Sequence, residues 1–314
     1  MTRINFVEDQ LGAFTGPRSG TDPDDNVKAA LSVTTGAVNP NSAFGKVYWV
    51  DKTTGSDSND GLSPATAFAS IAQATTVNNA DVGTNTYNIN TIYVNTASYA
   101  ETLTAFPANA NVISIGAGTF LTGAQTSQAK LYNCHFYGFW FVGNTAAPIV
   151  TVSDNSQFVG FHNCTFAAGA TTTYGIQLNK VYEATIEGCK FLGNPLCPTA
   201  IYVTAIQLRT RITNNWIAAT TNGILINNYT GDYGNLIDNN FITRQSADPN
   251  SSEQMAYGIK MLKPTGTDKW LIARNSIEAV DAIYSATADT AFQNQCISNA
   301  TVQVGTGVME DPLT

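Results

Sequence analysis

From residue 131 the chain repeats a six-residue alternation of apolar and polar positions: apolar, any, Asn or Gly, small or polar, any, apolar. The copies are Leu131–Phe136, Phe161–Phe166, Ile186–Phe191, Ile212–Ile217, Ile237–Ile242, Ile272–Ile277 and Ile297–Val302, at steps of 30, 25, 26, 25, 35 and 25 residues. Seven copies near a 25-residue period are the mark of a solenoid. A second column lies 10–14 residues upstream of most copies: Val150–Val152, Ile176–Leu178, Ile201–Val203, Ile224–Ile226, Ile259–Met261 and Ile283–Ser285. Each alternates with period two, as a strand with one buried face does. Two or three short strands per repeat, with turns at fixed phase, predict one coil of a parallel β-helix.

In such a coil the first, fourth and sixth positions of the hexapeptide point inward. The third position turns the chain through a left-handed conformation, which Asn and Gly tolerate best. Its occupants are Asn133, Asn163, Gly188, Asn214, Asn239, Arg274 and Asn299, and Arg274 predicts a strained or differently shaped turn. The fourth column reads Cys134, Cys164, Cys189, Asn215, Asn240, Asn275 and Ala300. At a strand spacing of ~4.8 Å the inward amides of Asn215, Asn240 and Asn275 are predicted to bond one another as a ladder, and the three cysteines to stack as small buried groups.

Composition changes the picture in three ways. Charged residues are 12% of the 314, with a net charge of −8, where a nucleic-acid binder would carry a basic stripe. No apolar run is long enough to span a bilayer. The N-terminus lacks a basic segment followed by an apolar one, so no secretory signal is readable and synthesis in the cytoplasm is expected. Five cysteines without a CxxC pair, and two histidines, predict neither a disulfide framework nor a metal site, and no cofactor.

Upstream, Gly55–Ala74 (GSDSNDGLSPATAFASIAQA), Thr91–Val94 (TIYV) and Asn111–Gly118 (NVISIGAG) resemble the opening of right-handed parallel β-helix proteins of the pectate-lyase-like superfamily. The resemblance covers roughly residues 46–303. It implies an all-β, right-handed, single-stranded β-helix of about seven or eight coils. A short helix with its Phe68, Ile71, Ala72 and Ala74 face against the core would cap the first coil, and the TIYV strand would start the stack. The acidic turn Asp57–Gly61 lacks the spacing of a calcium loop and reads as a turn. The domain expectation is an arm or adaptor at 1–44, the capped β-helix at 45–304 and a tail at 305–314. A polar insertion at residues 244–255 is expected to loop out as a contact segment.

Fold alone does not give function. The outward second column carries Glu187, Thr213 and Asp238 in consecutive coils. Two strand spacings put Glu187 and Asp238 about 9.6 Å apart, near the upper limit for an inverting carboxyl pair. They are the candidate catalytic residues, although no basic residue is expected in their column. The outward fifth column carries Trp216 and Phe241 in consecutive coils, and large exposed aromatics mark a contact surface. An oligomer interface is the first reading and a sugar-stacking platform the second.

The resemblance extends to phage tailspikes, which are trimers. A β-helix without a secretion signal suits a phage virion structural protein, made in the host cytoplasm and displayed on the particle. The expectation is therefore a trimeric spike on the virion surface, a capsid decoration or cement protein held to the major capsid protein, or to a tail protein, by residues 1–44. The alternative is a tailspike that binds or cleaves host surface polysaccharide, with Glu187 and Asp238 as hydrolase or lyase carboxylates.

Overall fold

In a computed structural model of the chain, the described residues are 45–82, 89–116, 118–193, 197–205, 208–229, 234–243, 255–264, 270–285, 295–297 and 300–301. The expected arm at 1–44, the tail at 305–314 and all of the insertion expected at 244–255 except its last residue lie outside them; Met255, expected to loop out with the insertion, is instead buried in the core. The rest is a parallel β-helix. Every strand pair within its three sheets is parallel, and each strand is bonded to the equivalent strand one coil earlier and later.

The first sheet stacks ten rungs, from Val47–Val50 through Asn90–Asn95, Ala110–Ile115, Tyr132–Tyr137 and Ser156–His162 to Gln295–Ile297. The second runs from Ser98–Tyr99 to Ala300–Thr301 and the third from Gln125–Thr126 to Asp281–Ser285. The stack is taller than the seven or eight coils expected, and it starts one rung earlier, since Val47–Val50 pairs with the TIYV strand. The early rungs escape the hexapeptide pattern because their turns are longer, Ile92 to Tyr99 and Val112 to Leu121 standing where Phe136 to Phe141 stands later.

Third-sheet register follows the sequence column: Val150, Ile176, Ile201, Ile224, Ile259 and Ile283 stack directly. The hexapeptide column needs two corrections. Phe161 lies beside Phe136, and Phe166 beside Phe141. The copy preceding Phe161–Phe166 is therefore Phe136–Phe141, with Gly138 at the turn (φ +74°), and Leu131–Phe136 is out of register by five residues. Asn133 does turn left-handed (φ +53°), but at another corner of the coil. At the far end Ile272 pairs with Cys296 rather than Ile297, a shift of one.

With the register corrected, the turn column is Gly138, Asn163, Gly188, Asn214, Asn239 and Arg274, all at positive φ. Arg274 adopts the same left-handed turn as its Asn neighbours (φ +53°), so its turn is not differently shaped. Its guanidinium forks onto Asp238, Nε donating to Oδ1 at 2.8 Å and Nη2 to Oδ2.

The inward fourth column reads Thr119, Phe139, Cys164, Cys189, Asn215, Asn240 and Asn275, all buried. Cys134 is not in it; it is buried in the first sheet beside Val159. From Cys164 onward each side chain donates to the carbonyl of the first position one coil back. Cys164 Sγ reaches Phe136 O at 3.6 Å, Cys189 Sγ reaches Phe161 O at 3.3 Å, and the Nδ2 atoms of Asn215, Asn240 and Asn275 reach Ile186, Ile212 and Ile237 O at 2.9, 2.9 and 3.0 Å. Asn215 Nδ2 also donates to Asn240 Oδ1, and Asn240 Nδ2 to Asn275 Oδ1, each at 2.9 Å. Above the amides the core is aromatic. Phe136 stacks on Phe161, and Phe141, Phe166 and Phe191 form a continuous pile at 4.8–5.2 Å.

Helix α1 (Ile71–Val82) lies against the first two rungs of the first sheet and covers the end of the stack. It buries Ile71, Ala74, Thr75, Asn78 and Val82, at the three- and four-residue spacing of one face. Phe68 is buried beside it, but Ala72 faces solvent, contrary to expectation. The helix start is held by carboxylates. Glu101 accepts from the Ile71 and Ala72 amides at 3.1 and 2.9 Å, and Asp57 Oδ1 from the Ala69 and Ser70 amides at 2.9 Å each. Negative groups at an N-terminus satisfy otherwise orphaned donors. Asp57 is thus used as a cap, and Gly61 (φ +70°) lies so close to the Phe68 ring that a Cβ would meet it at 2.1 Å.

Candidate functional site

A second left-handed corner opens the first sheet. Asn109, Asn133, Phe158, Glu183, Arg209 and Gly234 stack there with φ between +46° and +66°. Phe158, Glu183 and Arg209 are residues that rarely adopt this conformation, and such strain collects where geometry matters. Two residues further on, the outward column is His135, Gly160, Thr185, Arg211 and Leu236.

Corner and outward column together bound an open cleft of about 430 Å³ across four rungs, lined by Asn133, His135, Phe158, Glu183, Thr185, Arg209 and Arg211. Four rungs span ~14 Å along the solenoid axis. Tyr132 packs edge-on against Phe158 at 5.2 Å and extends the aromatic wall. Glu183 is ion-paired with Arg209 across one rung. Arg211 is exposed, and among the described residues no carboxylate pairs with it.

The chain's two histidines meet at one end of this cleft. His135 Nδ1 is 3.0 Å from His162 Nε2, and His162 Nδ1 is 3.6 Å from Glu187 Oε2. The rings are stacked, and Tyr137 lies flat against His162 at 4.7 Å. Gly160 makes the contact possible, because a Cβ there would meet His135 Nδ1 at 2.2 Å and His162 Nε2 at 2.5 Å. Burial, and secondarily the neighbouring His162, pushes His135 down to about 4. Burial also lowers His162, against the opposing pull of Glu187. Both rings are therefore neutral at pH 7.

The candidate carboxylates share this face without touching. Glu187 is half-exposed beside His162. Asp238 is buried and held by Arg274, with the Thr213 strand between them. The expectation that no basic residue joins the face does not hold, since His162 is in the second column and Arg274 at its edge. Trp216 and Phe241 stand outward on the second sheet, 49% and 48% exposed and edge-to-face at 6.1 Å. A second pair, Phe120 and Trp140, lies in the same outward column at 5.4 Å. The register error at Leu131–Phe136 hid Trp140 from the sequence columns. Among the described residues no group of three His, Cys, Asp or Glu is arranged to hold a metal ion, and no helix is long and apolar enough to cross a membrane.

The fold defines a class, the parallel β-helix, and comparisons add particular neighbours. No family model matches the chain, and no curated protein matches it. Among solved structures it is similar to a pectin methylesterase in complex with a hexasaccharide, at 13% identity, covering 84% of this chain and 91% of that one with a TM-score of 0.48. It is also similar to the A-module of the Azotobacter vinelandii mannuronan C-5 epimerase AlgE6, at 12% identity, covering 75% and 92% with a TM-score of 0.27.

Proposed function

We propose that the protein binds a carboxylated polysaccharide, with the ligand chain lying along the first sheet and a sugar carboxylate on Arg211. The observation that carries this reading is the Arg211 guanidinium, unpaired among the described residues, in a cleft otherwise built for an uncharged polar chain. Asn133 and Thr185 offer hydroxyl-binding groups, Phe158 an apolar face, and Arg209 is already neutralised by Glu183. A planar guanidinium is suited to a carboxylate. A chain of net charge −8 gives a polyanion little general attraction, so recognition rests on this local cation.

In the particle setting expected from the sequence, this favours the glycan-binding alternative over capsid decoration. Calorimetric titration with an oligouronate and a neutral oligosaccharide of equal length tests it. The oligouronate alone should bind, and Arg211→Ala should weaken it at least tenfold. Equal affinity for the neutral chain, or no effect of Arg211→Ala, would overturn the reading.

A further inference from the structure

Two neutral histidines in series beside a carboxylate leave few arrangements of protons. Glu187 is an acceptor, so the proton on His162 sits on Nδ1, facing it. His162 Nε2 is then a bare acceptor, and the 3.0 Å contact requires His135 to place its own proton on Nδ1. His135 Nε2 is left unprotonated, on a ring that lines the cleft. Glu187 Oε2, at 3.6 Å, lies about 0.4 Å beyond hydrogen-bond range of His162 Nδ1, a gap that rotation of the half-exposed Glu187 side chain closes.

We infer that Glu187, His162 and His135 form a proton relay that makes His135 the general base of an esterase, removing an O-acyl group from the carboxylated sugar chain. The inference rests on the binding reading above for its substrate. His135 Nε2 takes a proton from water as the water oxygen bonds to the acyl carbon, and the carbonyl oxygen becomes an oxyanion, while Arg211, three rungs away, keeps the sugar carboxylate. The positive charge on His135 is shared through Nδ1–H to His162 and on to Glu187. On collapse the ester C–O bond breaks, and the leaving sugar hydroxyl takes back the proton from Nε2. Ester and water thus give carboxylic acid and alcohol, with nothing else consumed.

Glycoside hydrolysis fits less well, because it needs a carboxylic acid to protonate the leaving oxygen. The cleft's carboxyl, Glu183, is engaged by the Arg209 guanidinium. His135 is the catalytic residue here, while His162 and Glu187 act through it as positioning residues. The groups that face His135 are His162 and Tyr137 beside it, with Glu187 beyond His162, and Glu183, Arg209 and Arg211 across the cleft.

The test uses the full chain and two probes, an O-acetylated oligouronate and p-nitrophenyl acetate, with acetate and nitrophenol release measured against pH. The wild type should release acetate from the oligouronate, and His135→Gln should reduce release at least a hundredfold while leaving oligouronate affinity within twofold. Glu187→Gln should lower kcat with KM unchanged and shift the acid limb of the pH–rate profile, which a merely structural role would not do. Gly160→Ala keeps every relay residue and should still abolish turnover by forcing the rings apart; circular dichroism identifies any variant that fails to fold.

Oligouronate binding without acetate release would overturn the relay and leave the binding reading standing. Nitrophenol release that depends on His135 and Glu187, without oligouronate binding, would support the relay and overturn the binding reading. Release that survives both His135→Gln and Gly160→Ala would refute the relay outright.

Discussion

Replacing Asn240 with alanine removes the middle of the amide ladder, and the cost can be worked from the bonds lost. Asn240 Oδ1 accepts the backbone amide of Asn215 at 3.0 Å and its Nδ2 at 2.9 Å, while Asn240 Nδ2 donates to Ile212 O and Asn275 Oδ1. Asn275 Oδ1 keeps a donor in the variant, because the backbone amide of residue 240 still reaches it at 3.0 Å. The two Asn215 donors lose their acceptor inside a core where Asn215 and Asn240 are each 2% exposed. Each orphaned buried donor costs about 1–3 kcal/mol, so Asn240→Ala should destabilise the fold by about 4 kcal/mol. For a domain of this size that corresponds to a drop in Tm of roughly 8–16 °C.

The measurement is urea unfolding followed by circular dichroism, alongside the single variant Asn215→Ala and the double variant. Removing Asn215 removes one of the donors that Asn240→Ala leaves stranded, so the double variant should cost less than the sum of the singles by about 1 kcal/mol or more. A loss below about 1 kcal/mol for Asn240→Ala, or strict additivity, would show that the stacked amides contribute shape and not hydrogen bonding.

Three other outcomes are expected. His135 binds its proton near pH 4 when folded and near 6.5 when free, so the unfolded chain takes up the extra proton in between. Stability should be complete above about pH 6.5 and decline as pH falls toward 4; Tm measured in this range should show the slope, and His135→Gln should flatten it. Glu101→Ala uncaps the Ile71 and Ala72 amides and should cost about 1–2 kcal/mol, with hydrogen exchange faster across α1 than in the strands. The contact-surface expectation for Trp216 and Phe241 requires Trp216→Asp to lower the mass measured by light scattering while leaving Tm nearly unchanged, and an unaltered mass would remove that expectation.

The β-helix was legible because a stacked coil repeats its physical demands. Left-handed turns call for Asn or Gly, and the inward positions next to them call for small or amide side chains. The same demand explains the misplaced first copy. Leu131–Phe136 fits the hexapeptide because Asn133 also turns left-handed, but at the corner that borders the cleft. The cleft itself was not legible. Its corner is built by Phe158, Glu183 and Arg209, residues that announce no turn, and its histidines touch diagonally between neighbouring rungs. Column reading aligns like positions only: in the misplaced register it paired His135 with Thr165, in the true one it pairs His135 with Gly160, and in both it misses His162. Arg274 was read as an irregular turn, yet its backbone follows the column and its side chain instead occupies Asp238, a carboxylate that had looked available.

The inward column passes from Phe139 through two thiols to three amides, and this grades the chemistry of cohesion along the axis. The coils from Phe136 to Phe191 are held by stacked aromatic surface, whose stabilising effect weakens as water is cooled. Coils from Asn215 onward add a polar lattice that does not share this dependence. Cys164 and Cys189 stand at the junction, bonding the same carbonyls as the amides while packing as small apolar groups. Since a solenoid's coils interact chiefly with their neighbours, the two halves need not melt by the same route. Heat should test the amide half first, and cold the aromatic half.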